Sequence, residues 1–440
     1  MLARRARVLA EWLTLGALVG VLCGAASALF LHGLERATRL RVEHEWLVWT
    51  LPLAGLGIGA LYHALGTSVK GGTGLVIDSL HVARGRVPLR MGPLVLIGTL
   101  LTHLFGGSAG REGTAVQIGA SLSDGVARAL GLRGAGRRRV VIAGIAGGFG
   151  SVFGTPIAGA LFGLEVARVG RVEYDALLPA LVAALVGDWT TRALGVVHTA
   201  YPHPAELALS PAVGGKWLLF GLACGAVTWL FIEMLHRSKR QLERWAPSLP
   251  VRMMLGGCVV VGLWRVAGSD YLGLGVPTIV RAFVDPHLPW AAFAWKLVFT
   301  VATLGAGFLG GEVTPLFFVG AALGNVLGRL LGLPLDLAAG VGLVAVFGAA
   351  ANTPLALSIM AVELLGAHVF PHALLVVVVA YLAAGHRGIY PTQRVAHGKL
   401  ARRTLGEEVA LTTWTDEHEH QALDADAEAE AESKAEPKAD

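Results

Sequence analysis

Charged side chains are scarce in this sequence. Asp, Glu, Lys and Arg make up 15% of the 440 residues and hydrophobic residues make up 54%, whereas soluble domains carry about 25% charged residues. Glycine contributes 59 residues, and interior glycine weakens soluble helices but permits close helix packing in membranes. The composition therefore excludes an ordinary soluble domain and predicts a polytopic protein of the lipid bilayer.

Cysteine is also rare, and all three cysteines lie in apolar stretches (Cys23, Cys224 and Cys258). This placement argues against a disulfide framework. The sequence has no Cys/His cluster, no Ser/His/Asp or phosphate-loop pattern, and no basic face with interleaved aromatic residues. We therefore expect no metal, no cofactor, no nucleic-acid partner and no enzymatic activity.

The charges that are present divide into two groups. Basic residues cluster before the first apolar stretch, at Arg4, Arg5 and Arg7, and again at 237–244, and the positive-inside rule predicts that both clusters are cytoplasmic. Acids concentrate at the end, where residues 416–440 hold ten Asp/Glu and two Lys. We predict a transmembrane domain over residues 1–403 and a cytoplasmic, disordered acidic tail over 404–440.

An internal repeat organises the apolar part. Gly107–Thr114 and Gly307–Thr314 share two Gly, a Glu and a Thr at an offset of 200. The offset stays between 198 and 201 along the chain, which predicts one repeat over about 10–200 and a second over about 210–395. The repeat alone leaves parallel and inverted topology open. Further matches pair Gly72 with Gly273, Gly74 with Gly275, Gly144 with Gly342, Phe149 with Phe347, Pro156 with Pro354 and Glu165 with Glu363.

Several apolar stretches are too short to span a bilayer core of about 30 Å, which needs about 20 residues. Others are broken by Gly-Gly or Pro. Half-spanning and broken helices are stable in a membrane only where their loose backbone lines a protein-enclosed cavity. Transporters built in this way bind their substrate where the broken ends meet.

Gly110-Arg111-Glu112-Gly113-Thr114 is the strongest local signal. Glycines before an apolar helix expose first-turn N–H groups, and these donors together with the helix dipole attract an anion. A carboxylate there competes for that site when ionised and leaves it when protonated. The alternative is an acid that only stabilises a helix start, but intramembrane acids are energetically costly and are usually functional.

The second repeat carries a matching start, Gly310–Pro315. Proline suits the first helical position, so we predict that Pro315 begins a helix and that Glu312 and Thr314 lie on the loop before it. Thr314 can donate its hydroxyl to an anion and Glu312 can carry a proton. The alternative for Glu312 is again a helix-terminal acid.

Two further turns complete the set. Gly71–Gly74 brings the Thr73 hydroxyl close to backbone donors, and Gly388–Pro391 predicts a fourth helix start with Tyr390 just before it. Four helix starts that converge on one point would form an anion cage. Glu165 and Glu363 lie on apolar helices nine residues beyond Thr-Pro, and we favour a structural role for both over proton handling. His103 is interpreted as a satisfied interior histidine.

In this order the four signals resemble the CLC family of anion channels and transporters, over about residues 10–403. Gly110–Gly113 matches the family motif G-[KR]-E-G, which makes Glu112 the external gating glutamate, and Tyr390 matches the central anion-coordinating tyrosine. The resemblance implies an all-α polytopic membrane fold with two inverted-topology repeats of broken, tilted helices. It also implies a homodimer in which each subunit has its own pathway.

Departures from the chloride-type pattern are informative. Thr114 stands where those members have Pro, Thr73 replaces their serine, Val313 replaces their Phe and is preceded by Glu312, and Val166 replaces the internal proton-transfer Glu. Together these changes resemble the bacterial fluoride-exporting branch. The resemblance then implies gating and proton transfer by Glu112 and Glu312. The implied anion-binding residues are Thr73, Gly110, Arg111, Gly113, Val313, Thr314 and Tyr390.

We therefore predict fluoride/proton antiport across the bacterial inner membrane, with fluoride and protons as the transported ions. Fluoride is strongly hydrated, so its dehydration needs a dense set of strong donors. A chloride/proton antiporter or a passive anion channel of the same family is the first alternative. A membrane-embedded enzyme that uses the paired acids is the distant one.

Overall fold

The structure is a computed structural model that describes residues 1–82, 85–399, 404–411 and 414. Within these ranges the chain forms sixteen α-helices and three short strands, and the helices divide equally between the two predicted repeats. The first half contains α1 (Leu2–Glu43), α2 (Leu51–Leu65), α3 (Thr73–His81), α4 (Met91–Leu104), α5 (Glu112–Ala129), α6 (Gly134–Phe153), α7 (Pro156–Glu165) and α8 (Leu177–Ala193). The second half contains α9 (Pro211–Trp245), α10 (Leu249–Ala267), α11 (Val276–Val284), α12 (Ala292–Gly305), α13 (Val313–Leu331), α14 (Leu335–Ala351), α15 (Pro354–Leu365) and α16 (Phe370–Ala383).

Helix lengths follow the prediction of long and half-spanning segments. Among the residues that the structure describes, five helical stretches are long and apolar enough to cross a membrane. The longest helix, α1, has 42 residues and extends about 63 Å at 1.5 Å per residue, which is more than a core of about 30 Å needs. In contrast α3, α7 and α11 have 9, 10 and 9 residues and cover about half of that core.

The two halves repeat their packing as well as their order. Gly119 of α5 lies against α6, where a β-carbon would meet the carbonyl oxygen of Gly144 at 2.2 Å. Gly320 of α13 lies in the same way against α14, with a β-carbon 2.2 Å from the carbonyl oxygen of Gly342. Each pair brings two helix backbones into contact, which explains why the repeat retains these glycines.

The repeats are inverted relative to one another. The basic cluster at Arg4, Arg5 and Arg7 precedes the membrane part of α1, whereas the cluster at 237–244 lies at the end of α9, the helix that repeats α1. Because cytoplasmic ends carry the excess of Lys and Arg, α1 begins on the side where α9 ends. The two helices therefore cross the membrane in opposite directions.

Short helices from the two repeats meet near the centre and cap each other. Glu165 at the end of α7 accepts hydrogen bonds from the amides of Leu355 (3.2 Å) and Ala356 (2.9 Å) at the start of α15. Glu363 of α15 accepts from the amides of Ile157 (2.9 Å) and Ala158 (2.7 Å) at the start of α7. Both acids thus satisfy otherwise orphaned first-turn donors, which supports the structural role favoured for them.

A small sheet lies at the end of the described chain, and nothing in the sequence pattern predicted it. Strand β1 (Arg168–Val169) pairs in parallel with β2 (Arg394–His397), which pairs antiparallel with β3 (Thr404–Ala410). The prediction that the disordered tail begins at 404 is therefore wrong for 404–410, because this segment completes the backbone bonds of β2. The acidic residues 416–440 lie outside the described residues.

Candidate functional site

The two Gly-Glu motifs meet face to face between α5 and α13. Gly110 and Gly311 form an antiparallel bridge in which the amide of Gly110 donates to the carbonyl of Gly311 (2.6 Å) and the amide of Gly311 donates back (2.8 Å). A β-carbon at Gly110 would lie 2.9 Å from the Gly311 carbonyl oxygen and 3.0 Å from the Pro315 ring. Glycine at 110 therefore allows the starts of two helices to converge at one point.

Glu112 crosses from one helix start to the other. Its side chain is fully buried. One carboxylate oxygen, Oε1, accepts a 2.5 Å hydrogen bond from the Thr314 hydroxyl, and Oε2 accepts from the amides of Thr314 and Arg111, both at 3.1 Å. The carboxylate thus lies at the first turn of α13, where unpaired N–H groups and the positive end of the helix dipole attract an anion.

Thr314 lies inside the first turn of α13. The helix begins at Val313, with Glu312 as its N-cap residue, so the prediction that Pro315 is the first helical residue is wrong. Proline is accepted at 315 because the third helical N–H has no partner within the helix. The shift turns the Thr314 amide, as well as its hydroxyl, toward Glu112.

Glu312 and Thr73 lie on the other side of Gly113. A β-carbon at Gly113 would be 3.7 Å from Thr73 Oγ1 and 3.8 Å from Glu312 Oε2. Thr73 is the first residue of α3 and accepts a 3.2 Å hydrogen bond from the Gln117 side-chain amide. Because residue 113 is a glycine, space remains between the Thr73 hydroxyl and the Glu312 carboxylate. This space adjoins the start of α5.

Tyr390 is buried and close enough to both glutamates to interact with them electrostatically. The prediction that a helix starts after it is wrong. Residues Pro391 and Thr392 form a turn, and the chain then enters β2, whose bonds to β1 and β3 replace those of a helix. The Thr392 hydroxyl donates to the carbonyl of Gly74 (2.8 Å), which ties the tyrosine loop to the start of α3.

The interior beneath the site is closed by amide side chains that sequence reasoning missed. Val166, at the position of the chloride-type internal glutamate, is buried, and its carbonyl accepts from the Gln393 side chain (2.9 Å). Gln393 also donates to the carbonyl of Ala351 (2.8 Å) and accepts from Asn352 (3.1 Å). Asn352 has a positive φ of 57°, a conformation that Asn adopts more readily than most residues, and this was the available signal.

On its outer side the site ends at Arg111. This side chain is 17% exposed, its Nε lies 3.4 Å from Glu112 Oε1, and it forms part of the wall of a cavity of about 660 Å³ between α1 and the loop 195–198. Tyr201, which the sequence did not point to, lies within electrostatic range of Arg111 and Glu112. Glu112 therefore separates this outer cavity from Thr73, Glu312 and Tyr390.

Two further residues from the sequence analysis, His103 and Thr114, have hydrogen-bond partners in the protein interior. His103 is buried, and its ring nitrogens lie 2.9 Å and 3.0 Å from the carbonyl oxygens of Thr99 and Ala109, which agrees with a satisfied interior histidine. Thr114 exchanges a 2.7 Å hydrogen bond with Thr99, so it lies behind the site. In the part of the chain that is described, no three His, Cys, Asp or Glu side chains gather as metal ligands.

Comparisons with known proteins show which family and which fold this chain shares. A family model described as voltage gated chloride channel matches residues 54–385. A chloride/fluoride channel protein of Pseudomonas syringae pv. tomato is 48% identical over 415 residues, covering 92% of this chain and 90% of that protein. A crystal structure of a CLC-type fluoride/proton antiporter superposes with a TM-score of 0.85 at 36% identity, covering 88% of this chain and 98% of that one. A slow cyanobacterial Cl⁻/H⁺ antiporter shares the fold, with a TM-score of 0.73 at 19% identity over 85% of this chain and 94% of that one.

Proposed function

The chain belongs to the voltage-gated chloride channel family, the CLC family, and on that premise we propose that it exports fluoride in exchange for protons. One observation carries the proposal: the Glu112 carboxylate occupies an anion position at the start of α13, held by the Thr314 hydroxyl and amide. A carboxylate and fluoride compete for the same donors. Because only the ionised carboxylate competes strongly, proton binding and fluoride binding at this point are coupled.

The cycle follows from this competition. Protonation of Glu112 removes its charge and weakens its bonds to Thr314, so the side chain leaves and fluoride takes the freed donors. Loss of the proton on the other side returns the carboxylate and displaces the anion. First-turn amides of α13, the Thr314 hydroxyl and the Tyr390 phenol then replace the water that fluoride gives up. Protons move one way and fluoride the other.

Glu312 is proposed to relay the proton on the inner side. Val166 has no ionisable group, so the position that carries the internal glutamate in chloride-type members provides no proton carrier here. Glu312 lies beside Gly113 and Thr73. It is therefore close to the first turn of α5, the helix that begins at Glu112. It is a carboxylate of the opposite repeat that lies beside the Glu112 site, and we assign it the second proton step.

Fluoride is favoured over chloride by the density of donors. Two hydrogen bonds from one threonine reach the Glu112 carboxylate within 3.1 Å, and a small, strongly hydrated anion gains most from such short donors. The alternatives remain a chloride/proton antiporter and a passive channel, which share the same helix starts. A membrane-embedded enzyme using the paired acids would bind or convert a substrate without moving ions.

We further propose that the protein is a homodimer in the inner membrane of a bacterium, as the family resemblance implies. Each subunit already contains donors from both repeats around Glu112, so a dimer would carry two separate pathways. Light scattering on the purified protein tests the dimer. A mass of one chain after subtraction of detergent would contradict it.

Reconstitution into liposomes tests the function. Vesicles loaded with fluoride should release it to an ion-selective electrode when potassium and valinomycin set the voltage, and a pH electrode should record proton uptake in fixed proportion. A fluoride gradient should also drive protons against their own gradient. Fluoride release without proton movement would make the protein a channel, equal release of chloride would place it among general anion transporters, and release of neither ion would contradict transport.

A further inference from the structure

A second cavity opens on the outer side of the protein, beside the one at Arg111. It has a volume of about 240 Å³ and lies between the end of α1, the loop 269–275 and the start of α11. Both cavities share Thr38, Val42 and Leu274 on their walls. The second cavity therefore adjoins the cavity whose wall includes Arg111.

The start of α11 supplies backbone donors to this cavity. Gly275 precedes the helix with φ of 73°, and Pro277 follows in the first turn. The first helical bonds run from the amides of Thr278 and Ile279 to the carbonyl of Gly275, so the amide of Val276 lies outside the helix ladder. Thr278 is almost fully buried and lines the cavity with Val276.

Arg41 supplies a buried cation at the same place. Its side chain is 9% exposed, lines the cavity, and has an Nε buried without a hydrogen-bond partner. A β-carbon on Gly273 would lie 3.4 Å from Arg41 Nη2, so the guanidinium lies against the loop that leads into α11. No carboxylate among the described residues comes within 4.0 Å of it; Glu45 on the cavity wall is exposed and interacts with Arg41 only at longer range.

Lys296 orients the loop so that its donors face the cavity. This fully buried side chain donates to the carbonyls of Tyr271 (3.1 Å) and Gly273 (2.6 Å). In a trans peptide the N–H points away from the C=O, so the amide of Leu274 points away from Lys296, and Leu274 lines the cavity. Lys296 also lies close enough to Arg41 for the two side chains to interact electrostatically.

The repeat gives this helix start a counterpart. Gly273 and Gly275 occupy the positions that Gly72 and Gly74 hold in the first repeat, where Thr73 begins α3 beside Glu312 and Gly113. Because the repeats are inverted, α3 and α11 start from opposite sides of the membrane. One start belongs to the inner end of the Glu112 site, and the other opens on the second cavity.

We propose that this cavity of about 240 Å³ is a second anion site, which holds a halide between the Arg41 guanidinium and the first turn of α11. The buried guanidinium of Arg41, the free amide of Val276 and the Thr278 hydroxyl form a donor set suited to a small anion. The cavity also has space for several waters, each of which takes about 30 Å³ in the liquid, so the halide is partly hydrated there. Exported fluoride and outside chloride share this chemistry.

Anomalous diffraction from crystals grown in sodium bromide tests the site directly. We expect a bromide peak within hydrogen-bonding distance of Arg41 and the start of α11 in the wild-type protein, and its loss in R41Q, which keeps a polar side chain but removes the charge. The matched control is R36Q, an exposed arginine on the same helix, where the peak should remain. T278V, which removes one hydroxyl without changing charge, should lower the occupancy of the peak and covers the case in which R41Q does not fold.

Calorimetric titration of the purified protein with sodium fluoride and with sodium chloride identifies the anion. Loss of Arg41 should weaken binding of the preferred halide about tenfold, the effect of one charge-assisted hydrogen bond. A wild-type protein with no bromide peak at Arg41, or a peak that R41Q leaves unchanged, would overturn the proposal. Neither readout depends on proton coupling, so failure of the antiport proposal would leave this result standing.

Discussion

Glu112 and Glu312 hold equivalent positions in the two repeats, yet they lie in different environments. Glu112 is the first residue of α5, is fully buried and is bonded across the interface to Thr314 of the opposite repeat. Glu312 is the N-cap residue of α13, is partly buried and accepts a hydrogen bond from its own amide. The inverted repeat therefore supplies two similar helix starts, and the neighbouring residues give the two carboxylates different surroundings.

The cause of this difference lies at the next two positions of each motif. Glu112 is followed by Gly113 and Thr114, and Thr114 turns back to Thr99 of its own repeat. Glu312 is followed by Val313 and Thr314, and Thr314 faces the other repeat. The hydroxyl that binds a carboxylate thus comes from the second repeat, and the carboxylate that it binds comes from the first.

Replacing Glu112 should have the largest effect on this comparison. In E112Q the side chain can no longer become charged, so it neither competes with fluoride nor carries a proton, and we expect proton uptake coupled to fluoride release to fall by about two orders of magnitude, within the range found for removal of an essential acid or base. Paired fluoride and pH electrodes on liposomes measure both fluxes. The control is E35Q, an exposed acid that lines the outer cavity; coupled exchange at the wild-type rate in E112Q would refute the mechanism.

The matching change in the second repeat should act more weakly. E312Q leaves the carboxylate that competes for the anion site in place, so fluoride should still move while the number of protons moved per fluoride falls about tenfold, the effect of losing one of two relay groups. The same electrodes measure this ratio. An equal loss of both fluxes in E312Q and E112Q would show that the two acids act as one group and would remove the division of tasks.

Much of the fold and part of the site were predictable from the sequence. The features that were not predicted have physical explanations. The resemblance to the CLC family is confirmed, and the nearly constant offset between matching residues predicted two related halves. The site was predicted less well, because two of its four helix starts were placed by the positions of Pro315 and Pro391. The first proline lies two residues inside its helix, and the second begins a turn before β2, whose pairing with β1 and β3 is a long-range contact that no local pattern contains.

Gln117 and Gln393 illustrate the same limit. Each is one of several polar residues in its segment, and no local pattern distinguishes it from the others. Gln117 reaches Thr73, 44 residues earlier, and Gln393 reaches the carbonyl of Val166, 227 residues earlier. Such contacts follow from the tertiary arrangement of helices, so they became visible only when the repeats were packed together.

Removal of the hydroxyl of Thr314 or Thr114 should change transport less, and the two variants test the difference between the repeats. Removal of the Thr314 hydroxyl in T314V takes away a donor to the anion position, and we expect the KM for fluoride to rise about tenfold, the equivalent of one hydrogen bond to a charged group. T114V is the matched control, because it removes the equivalent hydroxyl from the other repeat, which bonds Thr99 instead. Initial rates of fluoride efflux over a range of internal concentrations measure KM. Equal rises in the two variants would contradict the assignment of the anion site to Thr314.

Glu165 and Glu363 should show the smallest effect on transport, because here the two repeats remain symmetric. Each acid accepts two amides from the helix start of the other repeat, and glutamine can accept with only one oxygen. E165Q and E363Q should therefore each lower stability by about 1–3 kcal/mol, the range for a buried donor left unsatisfied, while the proton-to-fluoride ratio stays at the wild-type value. Thermal unfolding in detergent and the liposome assay measure the two quantities. An altered ratio in E165Q alone would mean that the acid beside Val166 takes part in proton transfer, and the structural symmetry of the caps would then conceal a functional difference like that between Glu112 and Glu312.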